Sequence, residues 1–218
     1  MNRPEMKQHA KALVARNRAR AVLALLIPMV VYIVLYGLPL VGFIVTENPP
    51  FLYAAIAVAL LYIPMTVGFA HFFIRFEKDP DTPYDAVLKG YKDGNFFRSL
   101  GRLLQMIIFI YVWMLFLVVP GVIKALAYAM TPFILADDDF KDSNEDPITI
   151  SRKMMNGYKA ELFVLFLSFI GWMILGALTL HILTVLYVLP YFYQTLALFY
   201  KKVKEDYNER KSLTQNSA

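Results

Sequence analysis

The sequence predicts an all-α integral membrane bundle: six transmembrane helices in three hairpins, each hairpin preceded by an amphipathic helix on the cytoplasmic side. Three observations predict it. Apolar residues make up 58% of the 218 and charged residues only 18%, against about 45–50% and about 25% in soluble domains. The apolar excess gathers into runs long enough to cross a hydrocarbon core of about 30 Å. Drawn as six spans, the chain also leaves 21 of its 22 Lys and Arg residues on one side, which is the bias that fixes orientation.

The spans are expected at 21–45, 51–76, 103–119, 121–136, 161–180 and 182–200. As a single helix, 103–136 would reach roughly 51 Å at 1.5 Å per residue, too long for one crossing. Pro120-Gly121 supplies the break that a tight turn needs. The stretch 161–200 divides on the same arithmetic, with its turn near Thr179-Leu180-His181. Both termini then lie inside, and the inner segments 1–20, 77–102, 137–160 and 201–218 hold every basic residue except Lys124, with Arg75 at the inner end of the second span. The first apolar run is too long for a signal h-region and lacks an A-x-A-like cleavage site, so it is expected to remain as a span.

Each of three inner segments opens on a proline, Pro4, Pro83 or Pro147, a residue suited to a first helical turn. Thr82 and Asp146 stand where N-caps belong. Helical spacing predicts apolar faces of Met6, Ala10, Leu13 and Val14, of Tyr84, Val87, Leu88 and Tyr91, and of Ile148, Met155, Tyr158 and Leu162. The three hairpins end alike, in HFFIRFEKD (71–79), TPFILADDD (131–139) and LALFYKKVK (196–204), each running from aromatics into charge. We read one polytopic domain, 1–218, built from units 4–79, 83–139 and 147–204 and closed by a polar tail, 205–218.

The absence of cysteine excludes disulfides, thiol catalysis and cysteine-ligated metal, and the three histidines stand at no metal-ligand spacing. No cofactor is expected. The +5 charge belongs to the inner face, so the expected partners are anionic inner-leaflet lipid, a membrane protein or a second copy, and not nucleic acid. Lys124 is the one cation inside a span, close enough to its outer end to snorkel. Gly121, Ala125 and Ala129 form a small-residue stripe suited to close helix packing. The acidic run of Asp137, Asp138, Asp139, Asp142, Glu145 and Asp146 lacks the glycine and terminal glutamate of a calcium loop and reads as a solvated linker. Arg152 and Lys153 read as an inner-leaflet contact, His71 and His181 as interfacial or packed residues, and Trp113 and Trp172 as packing residues. No acid lies in mid-span, and no nucleophile elbow, Walker loop or metalloprotease helix is present, so a non-enzymatic protein is expected.

The strings PGVIKALAYAMTPFILADD (120–138), SRKMMNGYKAELFVLFLSFIGW (151–172) and LPYFYQTLALFY (189–200) resemble the integral-membrane family catalogued as domain of unknown function 975, common in Gram-positive bacteria. Family-like positions include Pro120, Gly121, Lys124, Tyr128, Asp137, Arg152, Lys159 and Tyr200. The chain departs from the pattern near His181, where glycines are expected, and at Asn156-Gly157-Tyr158, where a Lys-Gly-His type of string is typical. The resemblance implies a bacterial plasma-membrane location and brings no activity with it. The expected function is an accessory or scaffold protein; a small transporter or channel for a lipid-like or hydrophobic solute, built around Pro120, Gly121 and Lys124, is the alternative.

Overall fold

The computed structural model describes residues 2–92, 94–141, 143–179 and 181–216, with side chains to residue 213. Asp142 and Leu180, which belong to the acidic run and the last expected turn, lie outside the described residues. Every described element is helical: α1 (Arg3–Arg16), α2 (Arg18–Thr46), α3 (Pro49–Tyr62), α4 (Met65–Lys78), α5 (Asn95–Phe116), α6 (Val118–Tyr128), α7 (Thr131–Ala136), α8 (Pro147–Met154), α9 (Lys159–Leu178) and α10 (Leu189–Asn216). Two 3-10 turns, Tyr84–Leu88 and Asp138–Phe140, and a π-turn, Thr184–Val188, complete the set.

Local chemistry accounts for the boundaries. Asn2 and Glu5 form a reciprocal capping box at the start of α1, and Met6, Ala10, Leu13 and Val14 are its buried face. Asn17 ends α1 and opens α2; its side chain accepts from the Arg20 N–H and donates to the Pro80 carbonyl. The chain leaves α2 through Glu47 in the left-handed region (φ 52). Pro64 interrupts the second apolar run between α3 and α4, because its ring removes a helical donor.

Five helical stretches are long and apolar enough to cross a membrane: Arg18–Thr46, Pro49–Lys78, Asn95–Phe116, Val118–Ala136 and Lys159–Leu178. The sixth expected segment, 182–200, is instead the π-turn and the first part of α10, a helix that continues to Asn216. The polar tail is therefore helical as far as Asn216. The break within 103–136 falls at Leu117, which is extended (φ −159, ψ 135), three residues before the expected site. Pro120 sits in the first turn of α6, where its missing N–H costs nothing, and the Gly121 N–H is bonded to the Leu117 carbonyl.

The segment after Pro83 is shorter than expected. It forms a five-residue 3-10 turn that buries Ala86 and Val87 and leaves Tyr84 and Leu88 exposed. Thr82 donates its hydroxyl back to the Asp79 carbonyl at 2.6 Å and does not cap the turn. Asp146 occupies the N-cap of α8, but its carboxylate turns to Arg102, 3.0 Å away. Gly157 (φ 89) separates α8 from α9. At the other end of α9, Thr179 closes the helix and His181 (φ 66) begins the next turn.

The core lies where the last helices of the three thirds of the chain meet. Phe72, Phe73 and Phe76 of α4, Ile134 of α7, and Phe199 and Tyr200 of α10 are buried there, together with Met6 of α1 and Met154 of α8. The short segments that precede the long helices pack in rotation around it: α1 on α10, the 84–88 turn on α4, and α8 on α7. Away from this core the long helices expose Ile33, Leu38, Ile44, Leu115, Val119 and Ile174. Such a surface would drive aggregation in water and suits a hydrocarbon solvent.

Candidate functional site

The densest polar constellation closes one end of that core. α7 ends at Ala136, and His71, buried on α4, donates its Nδ1 proton to the Ala136 carbonyl at 2.8 Å. A carbonyl only accepts, so the geometry assigns the proton to Nδ1. Asp137 follows in an extended conformation, and its side chain accepts from the Asp139 N–H at 3.1 Å, capping the Asp138–Phe140 turn. Its other oxygen accepts from the Tyr200 hydroxyl at 2.7 Å and from Lys204 Nζ at 2.5 Å. Tyr200 and Lys204 are four residues apart, hence on one face of α10, and the Tyr200 ring stacks on Phe133 with centroids 5.4 Å apart.

The neighbouring lysines on α10 reach other helices. Lys201 pairs with Glu77 of α4 and Lys202 with Glu161 of α9, each at 2.7 Å. Lys204 also pairs with Asp139 at 2.6 Å, and Lys89 holds Asp138 at 2.7 Å. One turn of α10 thereby ties together α4, the end of α7 and α9. Burial draws Lys204 downward, but its hydrogen bonds to Asp137 and Asp139 prevail and raise its pKa above the ordinary value. Asp138 is held below the usual carboxylate range, chiefly by its hydrogen bond to Lys89. A pocket of about 210 Å³ opens beside this cluster, lined by Glu77, Asp137, Tyr200, Lys201, Lys204 and Asn208 among others. Its acids and bases neutralise one another, which makes a clasp; among the described residues no group of three His, Asp or Glu could hold a metal ion.

The residues singled out in the sequence divide among three places. Asp137 is at the clasp, half-buried and paired, not in a solvated linker. Lys124 lies near the opposite end, its ammonium 4.7 Å from the centroid of the Trp113 ring. Beside it Gly121 packs so closely on Met114 that a Cβ there would overlap that side chain. Pro120 only shapes the start of α6, Tyr128 is buried with Ala127 and Ile148, and Ala125 and Ala129 are half-buried. Arg152, Lys153 and Lys159 gather at the α8–α9 corner: Lys153 pairs with Glu145, Arg152 is exposed and Lys159 half-buried. Trp113 and Trp172 are partly exposed on the apolar surface, a position for lipid contact more than core packing. Lys201, Lys202, Lys204, Glu77 and His71 are not among the residues the sequence singles out as a site; its one signal for them is the opposite charge of 137–139 and 201–204, far apart in the chain.

The fold defines the class: an all-helical chain with five helices long and apolar enough for a multi-pass membrane protein, its polar groups clasped at one end of the bundle. The family described as Protein of unknown function (DUF975) matches residues 99–207, half of the chain, and the chain belongs to it. That match runs from α5 into α10 and contains Asp137, Tyr200 and Lys204, whereas Glu77, Lys89 and His71 precede it. Comparison with curated proteins and with solved structures gives no match.

Proposed function

We propose that the chain is a six-span protein of the bacterial plasma membrane, both termini cytoplasmic, that serves as a non-enzymatic accessory or scaffold protein. The observation that carries this reading is the filled centre of the bundle. Phe72, Phe73, Phe76, Phe199 and Tyr200 occupy it without exposure, and the lysines of α10 close its inner end. A carrier needs a site reached from both sides; a rigid plug with charge displayed around its rim suits a docking platform. The rotation of α1, the 84–88 turn and α8 onto α10, α4 and α7 supports the reading of three helix–hairpin units, each bracing the unit before it in a closed cycle. The exposed, basic α8–α9 corner is the surface offered to a membrane-protein partner or to anionic lipid.

Native mass spectrometry of the full chain, extracted from its own membrane in mild detergent, tests this. A second protein at fixed stoichiometry, released by Arg152→Glu with Lys153→Glu, is the expected result. A chain that carries only a small hydrophobic molecule, lost in Lys124→Ala, would overturn the scaffold reading in favour of a carrier.

A further inference from the structure

A groove of about 450 Å³ runs between α6 and α9 with α10 at its floor. Its walls are apolar, formed by Ala125 and Leu126 on one side and Phe163, Leu167 and Ile170 on the other. The floor is aromatic: Phe192 meets Phe166 and Phe169 with centroids 5.7 and 5.1 Å apart. Along α9 the groove extends from Phe163 to Met173, roughly 15 Å at 1.5 Å per residue.

Charge stands at its inner end. Lys159 is four residues before Phe163 and shares its helix face. Arg152 follows Ser151, whose hydroxyl donates to the Ala127 carbonyl at 2.9 Å, one residue beyond the groove residue Leu126. The nearby acids are engaged elsewhere, Glu145 with Lys153 and Glu161 with Lys202. Arg152 and Lys159 have no acidic partner among the described residues. A second helix would need small residues along both walls to approach closely, and Phe163, Leu167 and Ile170 deny it that. Lys159 one turn below an apolar trough, and Arg152 exposed on the helix that abuts α6 beside it, instead fit an amphiphile with a negative head.

We propose that this groove seats one acyl chain of an anionic phospholipid of the inner leaflet, with its phosphate between Arg152 and Lys159. The site deepens the scaffold reading and rests on its topology, which puts the α8–α9 corner on the cytoplasmic side.

The test titrates the purified full chain in detergent with phosphatidylglycerol or phosphatidylcholine and counts retained lipid by native mass spectrometry. Wild type should hold one phosphatidylglycerol with at least roughly tenfold preference over phosphatidylcholine. Ala125→Phe, which fills the groove, and Arg152→Gln with Lys159→Gln should each lose about tenfold in affinity. Lys11→Gln with Lys211→Gln, exposed cations elsewhere, should lose nothing. Should Ala125→Phe lower the melting temperature, Ala125→Leu replaces it. Undiminished binding in a folded groove-filled variant overturns the site. Equal loss in the Lys11 and Lys211 variant also overturns it, yet leaves lipid attraction to the inner face standing. No preference between the lipids in wild type sinks both the site and the anionic-lipid arm of the scaffold reading, while a bound protein partner would still uphold the rest.

Discussion

At Asp137 one carboxylate oxygen takes hydrogen bonds from Tyr200 and Lys204 while the other caps a turn. Tyr200→Phe keeps the stack on Phe133 and deletes one donor, so it should cost about 1–2 kcal/mol of stability in thermal or denaturant unfolding. Asp137→Ala should cost more, because buried Tyr200 and half-buried Lys204 then lose their acceptor. The double variant should fall short of the sum, since both changes remove one shared bond. At Asp138 the sign of the pH effect follows from its depressed pKa. Its contribution is complete above the ordinary value of 3.8 and is lost as pH falls through the lower folded value. Lys89→Met should therefore weaken the chain at neutral pH and reduce the acid dependence of its melting temperature. An unchanged acid limb would remove that pair from the stability account.

Among the elements, close approaches decide which substitutions matter. A Cβ at Gly68 of α4 would overlap the Val87 carbonyl of the 84–88 turn, whereas one at Gly37 of α2 would meet nothing within 4 Å. Gly68→Ala should destabilise by about 1–3 kcal/mol as the turn is pushed away, and Gly37→Ala should be neutral or stabilising by up to about 1 kcal/mol. Thermal melts in one detergent check the pair. The elements also show why some of the chain was legible and some was not. The face of α1 was readable because Met6, Ala10, Leu13 and Val14 lie within a 14-residue helix opened by a capping box. The segment after Pro83 showed similar spacing over nearly as many residues, but it has no side-chain cap and runs into Gly90, and there a 3-10 turn against α4 buries only Ala86 and Val87. Pro120 correctly signalled a break, but it belongs to a first helical turn, so the extended residue comes earlier, at Leu117. The clasp was hidden for another reason: 63 residues separate Asp137 from Tyr200, and no local pattern reports such a pairing.

At the scale of the whole molecule, the proposed arrangement is three helix–hairpin units whose ends meet in one aromatic core, with the basic connecting segments on the cytoplasmic side and Glu47 in an outer turn. The orientation is open to a direct test because the chain contains no cysteine, so single cysteines can be introduced without background. Glu47→Cys, Asn144→Cys and Ser212→Cys, expressed one at a time, would be treated with a membrane-impermeant maleimide in intact cells and again after permeabilisation. The Glu47→Cys chain should be labelled in intact cells, and the Asn144→Cys and Ser212→Cys chains only once the membrane is opened. Labelling of Ser212→Cys in intact cells would mean five crossings with the end of α10 outside, contradicting the six-span arrangement and the cytoplasmic clasp together.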